Sequence, residues 1–178
     1  GAIMIRKAEE KDLLGVETIY NQVLDHEAAS VSYTNWKKGL YPTKADAKRA
    51  WSQGTLFVGE EDGELFGSII LNHIQPKEYS NISWEIPAEG NAVLVIHTLC
   101  IRPNCSKKGY GRAFVAFAEE YARSLQCSVI RLDTYEGNQL AIQLYSKLGY
   151  TVAGKCLFHF QEVIWETLVC MEEDMTNF

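Results

Sequence analysis

The order of hydrophobic periodicities predicts an α/β protein, a central mixed β-sheet of about seven strands with helices on its faces. Three observations carry this prediction. Strand-like and helix-like segments follow one another as β, α, α, β, β, β, α, β, α, β, β. The run AVLVIHTLCIRP (92–103) is apolar on both faces, as a central strand is. One helical stripe separates it from the strand CSVIRLDTY (127–135), which predicts a right-handed crossover and a parallel pair.

The elements follow in chain order. IMIRKA (3–8) reads as a short strand. Residues 9–27 place Leu13, Val16, Ile19, Tyr20, Val23 and Leu24 at helical spacing. Residues 28–43 read as a loop. TKADAKRAWSQG (43–54) is a helix with Thr43 as N-cap and Gly54 as its stop. Residues 55–74 form a hairpin, because two apolar runs flank Asp62-Gly63, a pair suited to positive φ. Residues 75–91 form a long connection interrupted by proline, and connections of that kind are often functional. After Pro103 ends the central strand, Phe114, Phe117, Ala118, Tyr121 and Leu125 make one stripe of a helix over 110–126. A short helix spans 138–150 and closes at Gly149, and strands at 151–160 and 163–174 complete the chain. No repeat or domain boundary shows, so a single domain over 1–178 is expected. Gly1, with Ala2 and Ile3, reads as a tag remnant.

Composition narrows the classes of function. The net charge of −6 argues against a general nucleic-acid partner, which needs a basic face. The five cysteines are odd in number and have no CxxC spacing, which predicts free thiols in a reducing compartment. The four histidines lie far apart, and no metal-ligand spacing appears, so no metal is expected. No run approaches the ~18 apolar residues of a membrane span. The expected location is cytoplasmic, with no membrane partner.

The segment SKKGYGRA (106–113) lies between the central strand and a helix. Gly109 and Gly111 have no Cβ, so backbone N–H groups there can close on a bulky anion. The following helix offers unpaired N–H groups and a positive dipole end. Lys107, Lys108 and Arg112 add charge. The set suits a pyrophosphate, although glycines before a helix also serve packing alone. Neither the G-x-G-x-x-G nor the P-loop pattern is met, since position 114 is Phe and no Gly-Lys-Ser/Thr follows.

Read together, VIHTLCIRPNCSKKGYGRAFVAFAEEYAR and VIRLDTYEGNQLAIQLYSKLGYTVAGK resemble the GNAT acyltransferase superfamily. Two of the family's motifs carry the resemblance. One is the Q/R-x-x-G-x-G/A loop, and the other is N-x-x-A-x-x-x-Y-x-x-x-G-F/Y, met here by Asn138, Ala141, Tyr145, Gly149 and Tyr150. The resemblance implies a mixed sheet whose fourth and fifth strands splay apart, and acetyl-CoA as co-substrate. It implies a pyrophosphate site at Ser106, Lys107, Lys108, Gly109, Tyr110, Gly111 and Arg112. Ser106 stands where the family carries Gln or Arg, so the lysines or the backbone must supply the contact.

The resemblance further implies that the pantetheine arm pairs with the backbone of Leu99, Cys100 and Ile101. Cys100 as a nucleophile competes with a small core residue, and direct transfer needs no covalent intermediate. Tyr145 is implied as general acid for the departing thiolate, against a plain core aromatic. Asn138 is expected to cap its helix and contact the cofactor, and Tyr150 to pack. The glutamate that some relatives carry early on the fourth strand falls on Val95, which cannot be a base. His97 lies on the same strand face and is the expected base or substrate contact, against a buried structural histidine. Glu85, Glu136 and water chains compete with it. Tyr33, Trp36, Trp84 and Glu85 are candidate acceptor contacts, since aromatics with carboxylates suit an amine cation.

The expected activity is transfer of acetyl from acetyl-CoA to a primary amine of a small molecule or peptide. A non-catalytic acyl-CoA sensor is the alternative, but it would not need Tyr145. A nucleotide-binding α/β protein of another fold is disfavoured by the hairpin. A homodimer is left open.

Overall fold

The computed structural model describes residues 1–105 and 108–176. Seven strands among them form one mixed sheet in the order β1-β2-β3-β4-β5-β7-β6. They are β1 (Ile3–Lys7), β2 (Leu56–Glu61), β3 (Glu64–Asn72), β4 (Val93–Ile101), β5 (Val129–Tyr135), β6 (Thr151–Phe160) and β7 (Ile164–Asp174). Four helices accompany them: α1 (Leu13–Ala29), α2 (Lys44–Ser52), α3 (Tyr110–Ser124) and α4 (Gln139–Lys147). The chain divides into two compact units.

The first unit holds Gly1–Ser32, Trp36–Leu71 and His97–Ala118. Strands β1 and β2 pair antiparallel, as do β2 and β3. Asp62 and Gly63 both take positive φ, 54° and 82°, which matches the right-handed twist of the flanking strands. The core gathers Val16, Ile19 and Tyr20 of α1, Ala47 and Ala50 of α2, and Leu56, Val58 and Ile70 of the strands, with Cys100. Each large apolar side chain buried there contributes about 1.5–3 kcal/mol. Thr43 begins α2 as expected: its backbone N–H donates to the Asp46 carboxylate at 2.8 Å.

The second unit holds Tyr33–Asn35, Asn72–Ile96 and the chain from Glu119 onward. Its part of β4 runs parallel to β5, from Val93 opposite Val129 to Ile96 opposite Leu132. Strand β7 is antiparallel to both β5 and β6. Val93, Val95, Val129, Leu168 and Cys170 make one sheet face of this core. The 75–91 connection covers that face with Tyr79, Ile82, Trp84, Ile86 and Ala88.

Strand β4 departs from the expected regular alternation. Val93 to Ile96 are all buried, and then Thr98 takes a left-handed φ of 46°. A non-glycine residue in that conformation interrupts the period of two. Positions 93 to 101 therefore do not share one alternating pattern. Beyond the interruption Cys100 is the buried residue, and His97, Leu99 and Ile101 are half-buried.

Candidate active site

Ser106 and Lys107 of the predicted phosphate loop lie outside the described residues. Lys108 and Gly109 follow, both exposed. Gly109 has φ +79°, and among the described residues no heavy atom lies within 4 Å of where its Cβ would stand. The turn therefore needs glycine, and its backbone is open to a bulky anion such as pyrophosphate. Helix α3 begins at the next residue, so its unpaired N–H groups and dipole end follow the turn directly. Gly111 is half-buried in the first helical turn and Arg112 is exposed. Tyr110 is turned inward. Its ring stacks on Phe66 at 3.9 Å and its hydroxyl donates to Glu61. That hydrogen bond pushes the Tyr110 phenol up to about 12 and holds Glu61 below the usual carboxylate range. Tyr110 thereby ties the start of α3 to the end of β2.

On β4, burial pushes the Cys100 thiol well up. A thiol held neutral is a poor nucleophile. Thr98 hydrogen-bonds Tyr41 through the two hydroxyls. His97 is half-buried.

On α4, Asn138 caps the helix: its Oδ1 accepts from the Ala141 N–H at 3.1 Å. Tyr145 is buried, with its ring 5.4 Å from that of Tyr150. Burial pushes the Tyr145 phenol well above its ordinary value, and the charge of Asp133 pushes it further. At neutral pH it is a protonated phenol, and so a proton donor. Tyr150 donates to Glu119 at 3.2 Å and serves the junction of α3 with the end of α4.

The predicted acceptor contacts are spread over both units. Trp36 packs against the first core, edge-on to Tyr41 at 6.1 Å. Tyr33 is half-buried. Trp84 donates from its indole to the Tyr79 carbonyl at 2.9 Å, and the Arg131 guanidinium lies 4.4 Å over its ring. Glu85 is exposed, and its backbone N–H donates to Glu172 at 2.8 Å.

The second unit also holds polar groups that the sequence reading did not single out. Arg131 and Glu172 are buried at 4% and 2% exposure. Arg131 donates to Gln75 at 2.7 Å and to the Ile86 carbonyl at 2.6 Å, while Glu172 accepts the N–H groups of Glu85 and Ile86. Together they fasten the 75–91 connection to the sheet. Beside them, Tyr79 donates to Asp133 at 2.6 Å. Burial pushes the Asp133 carboxyl up to about 6 against the pull of that hydrogen bond, and Glu166 and Glu78 raise it further. A signal was present in VIRLDTY: Arg131 and Asp133 alternate, so both charges share one face of β5.

The sequence model of the acetyltransferase (GNAT) family matches residues 15–150. The streptothricin acetyltransferase of Escherichia coli is 31% identical over 102 residues, which is 57% of this chain and 55% of that protein. The chain thus spans about half the length of that curated relative. The L-methionine sulfoximine/L-methionine sulfone acetyltransferase of Pseudomonas paraeruginosa is 25% identical over 151 residues, covering 85% of this chain and 81% of its own. Among solved structures, yncA of Salmonella typhimurium, determined with its cofactor acetyl-CoA, superposes with a TM-score of 0.69 at 21% identity. That superposition covers 100% of this chain and 96% of the other.

Proposed function

The chain belongs to the acetyltransferase (GNAT) family, and on that premise we propose that it transfers acetyl from acetyl-CoA directly to the primary amine of a small molecule. The observation that carries the reading is Tyr145, a buried phenol held protonated at the motif position where the family's proton donor falls. A phenol within reach of the leaving sulfur can protonate it as the C–S bond breaks. The open glycine turn at Gly109 and the start of α3 suit the pyrophosphate of the co-substrate. The buried, neutral Cys100 thiol supports transfer without an acyl-enzyme.

A small-molecule acceptor is favoured over a peptide because both curated relatives are named for small molecules. His97, Tyr33, Trp36, Trp84 and Glu85 remain the proposed neighbours of the acceptor, a single functional domain remains part of the proposal, and a homodimer stays open. No helix among the described residues is long and apolar enough to cross a membrane.

The test has two arms. Calorimetric titration measures acetyl-CoA binding, and a thiol-release assay screens a panel of amino acids, polyamines and drug-like amines. The reading expects binding and amine-dependent CoA release. Binding with no release from any amine would leave the non-catalytic sensor instead.

A further inference from the structure

Asp133 stands on β5 one residue beyond Leu132, where the parallel register with β4 ends. From there to Tyr135 the strand is paired with β7 alone among the described residues. One carboxylate oxygen, Oδ2, accepts the Tyr79 hydroxyl at 2.6 Å. The other oxygen receives no hydrogen bond among the described residues, and the residue as a whole is half-buried. The groups that face it are Tyr79 and Glu78 of the 75–91 connection, Glu166 and Cys170 of β7, Cys156 of β6, and Tyr145 of α4. Two of these are carboxylates, and the cation on the same face of β5, Arg131 two residues away, donates instead to Gln75 and the Ile86 carbonyl. Such surroundings attract an ammonium group and make Asp133 ready to take a proton.

We propose that Asp133 is the proton acceptor that frees the incoming amine, with the Tyr79 hydroxyl holding its carboxylate in place. This rests on the acetyl-transfer reading above. The ammonium of the acceptor gives one proton to the Asp133 carboxylate. Its freed lone pair forms the N–C bond to the acetyl carbonyl carbon. The C–S bond breaks, its electron pair leaves on sulfur, and the Tyr145 phenol protonates the sulfur. A second amine proton restores Tyr145, and Asp133 releases the first to water. A carboxyl that titrates near neutrality is suited to this work, and burial with neighbouring carboxylates pushes Asp133 up to about 6.

The experiment is the pH profile of kcat/KM with acetyl-CoA and the panel amine that reacts fastest. It is joined to carbon-13 titration of the Asp133 carboxyl in the free protein. Asp133→Asn still accepts from Tyr79 but takes no proton. It should lower kcat/KM by ~10²-fold or more and remove the acidic limb without lowering the melting temperature. Tyr79→Phe removes a hydrogen bond that favours the charged carboxylate. Its acidic limb and its carboxyl titration should both move to higher pH, which a merely structural Asp133 would not produce in the rate. His97→Gln should keep the limb. An active Asp133→Asn with its acidic limb intact, a limb that vanishes in His97→Gln instead, or an Asp133 carboxyl titrating in the ordinary range would each overturn the proposal. A wild-type protein that acetylates no amine overturns the transfer reading along with it, so the two failures are told apart by the wild type alone.

Discussion

The hydroxyl of Tyr41 hydrogen-bonds that of Thr98, the residue at which β4 turns through a left-handed φ of 46°. Both belong to the first unit. A β-branched residue in that conformation costs ~1–3 kcal/mol and persists only where its surroundings hold it. Tyr41 is one such restraint. The predicted double-mutant cycle is specific. Tyr41→Phe should destabilise the protein by ~1 kcal/mol. In a Thr98→Gly background, where positive φ carries no steric cost, the same change should cost less, with a coupling of at least ~0.5 kcal/mol. Urea denaturation of the four proteins measures it, and strictly additive losses would refute a restraining role for Tyr41.

The pair Arg131 and Glu172 yields a second prediction. Glu172 accepts two backbone N–H groups of the 75–91 connection. Glu172→Gln replaces one acceptor oxygen with an N–H₂ donor, which then meets a backbone donor. The expected loss is ~1–3 kcal/mol of stability, because a buried donor is left unsatisfied. If residues 84–85 contact the acceptor, the variant should also raise KM for the amine more than it lowers kcat. Equal denaturation midpoints for the two proteins would contradict the fastening role.

Much of this architecture was legible in the sequence, for physical reasons that can be named. The hairpin at Asp62-Gly63, the Thr43 start of α2 and the Asn138 cap of α4 are local devices, set by residues within a few positions of each other. The parallel pairing of β4 with β5 followed from one intervening helix and the handedness of crossovers. Asp133 was not legible as a site, because its partner Tyr79 lies 54 positions away in a loop without periodicity. The alternation in VIRLDTY put Arg131 and Asp133 on one face of β5, but the groups that satisfy Arg131 and Glu172 were not legible, because two charges are stable under a loop only when that loop supplies the matching N–H and C=O groups. The conformation of Thr98 had no signal at all, since glycine or asparagine would announce positive φ and threonine does not.

Tyr145 gives a third prediction. Its phenol is pushed well above the ordinary value by burial and by Asp133. Tyr145→Phe keeps the ring in its place against Tyr150 and removes the proton. Turnover should fall by ~10²-fold or more, with acetyl-CoA affinity almost unchanged. The wild-type enzyme should also show no loss of kcat from phenol ionisation below about pH 10. Steady-state kinetics with calorimetric binding distinguishes the cases, and equal turnover would make Tyr145 a packing residue.

Glu173 on β7 supplies a pH prediction in which the sign is opposite to that of a typical carboxylate. Burial, then Glu119 and Asp174, push its carboxyl up to about 7. In the unfolded chain it returns to the usual value near 4.5. The native state therefore holds the Glu173 proton more tightly than the unfolded state does. By linkage, the stability tied to that proton is fully present below pH ~4.5, falls as pH rises, and is gone above ~7. Glu173→Gln is neutral at every pH and should escape this loss. Relative to wild type it should gain roughly 1 kcal/mol at pH 8, well short of the full shift because solvent screens a partly exposed side chain, and the gain should disappear by pH 4. Thermal unfolding of both proteins across that range gives the comparison directly. A gain that is the same at pH 4 and pH 8 would show that the substitution acts by packing, and that Glu173 carries no displaced proton in the folded protein.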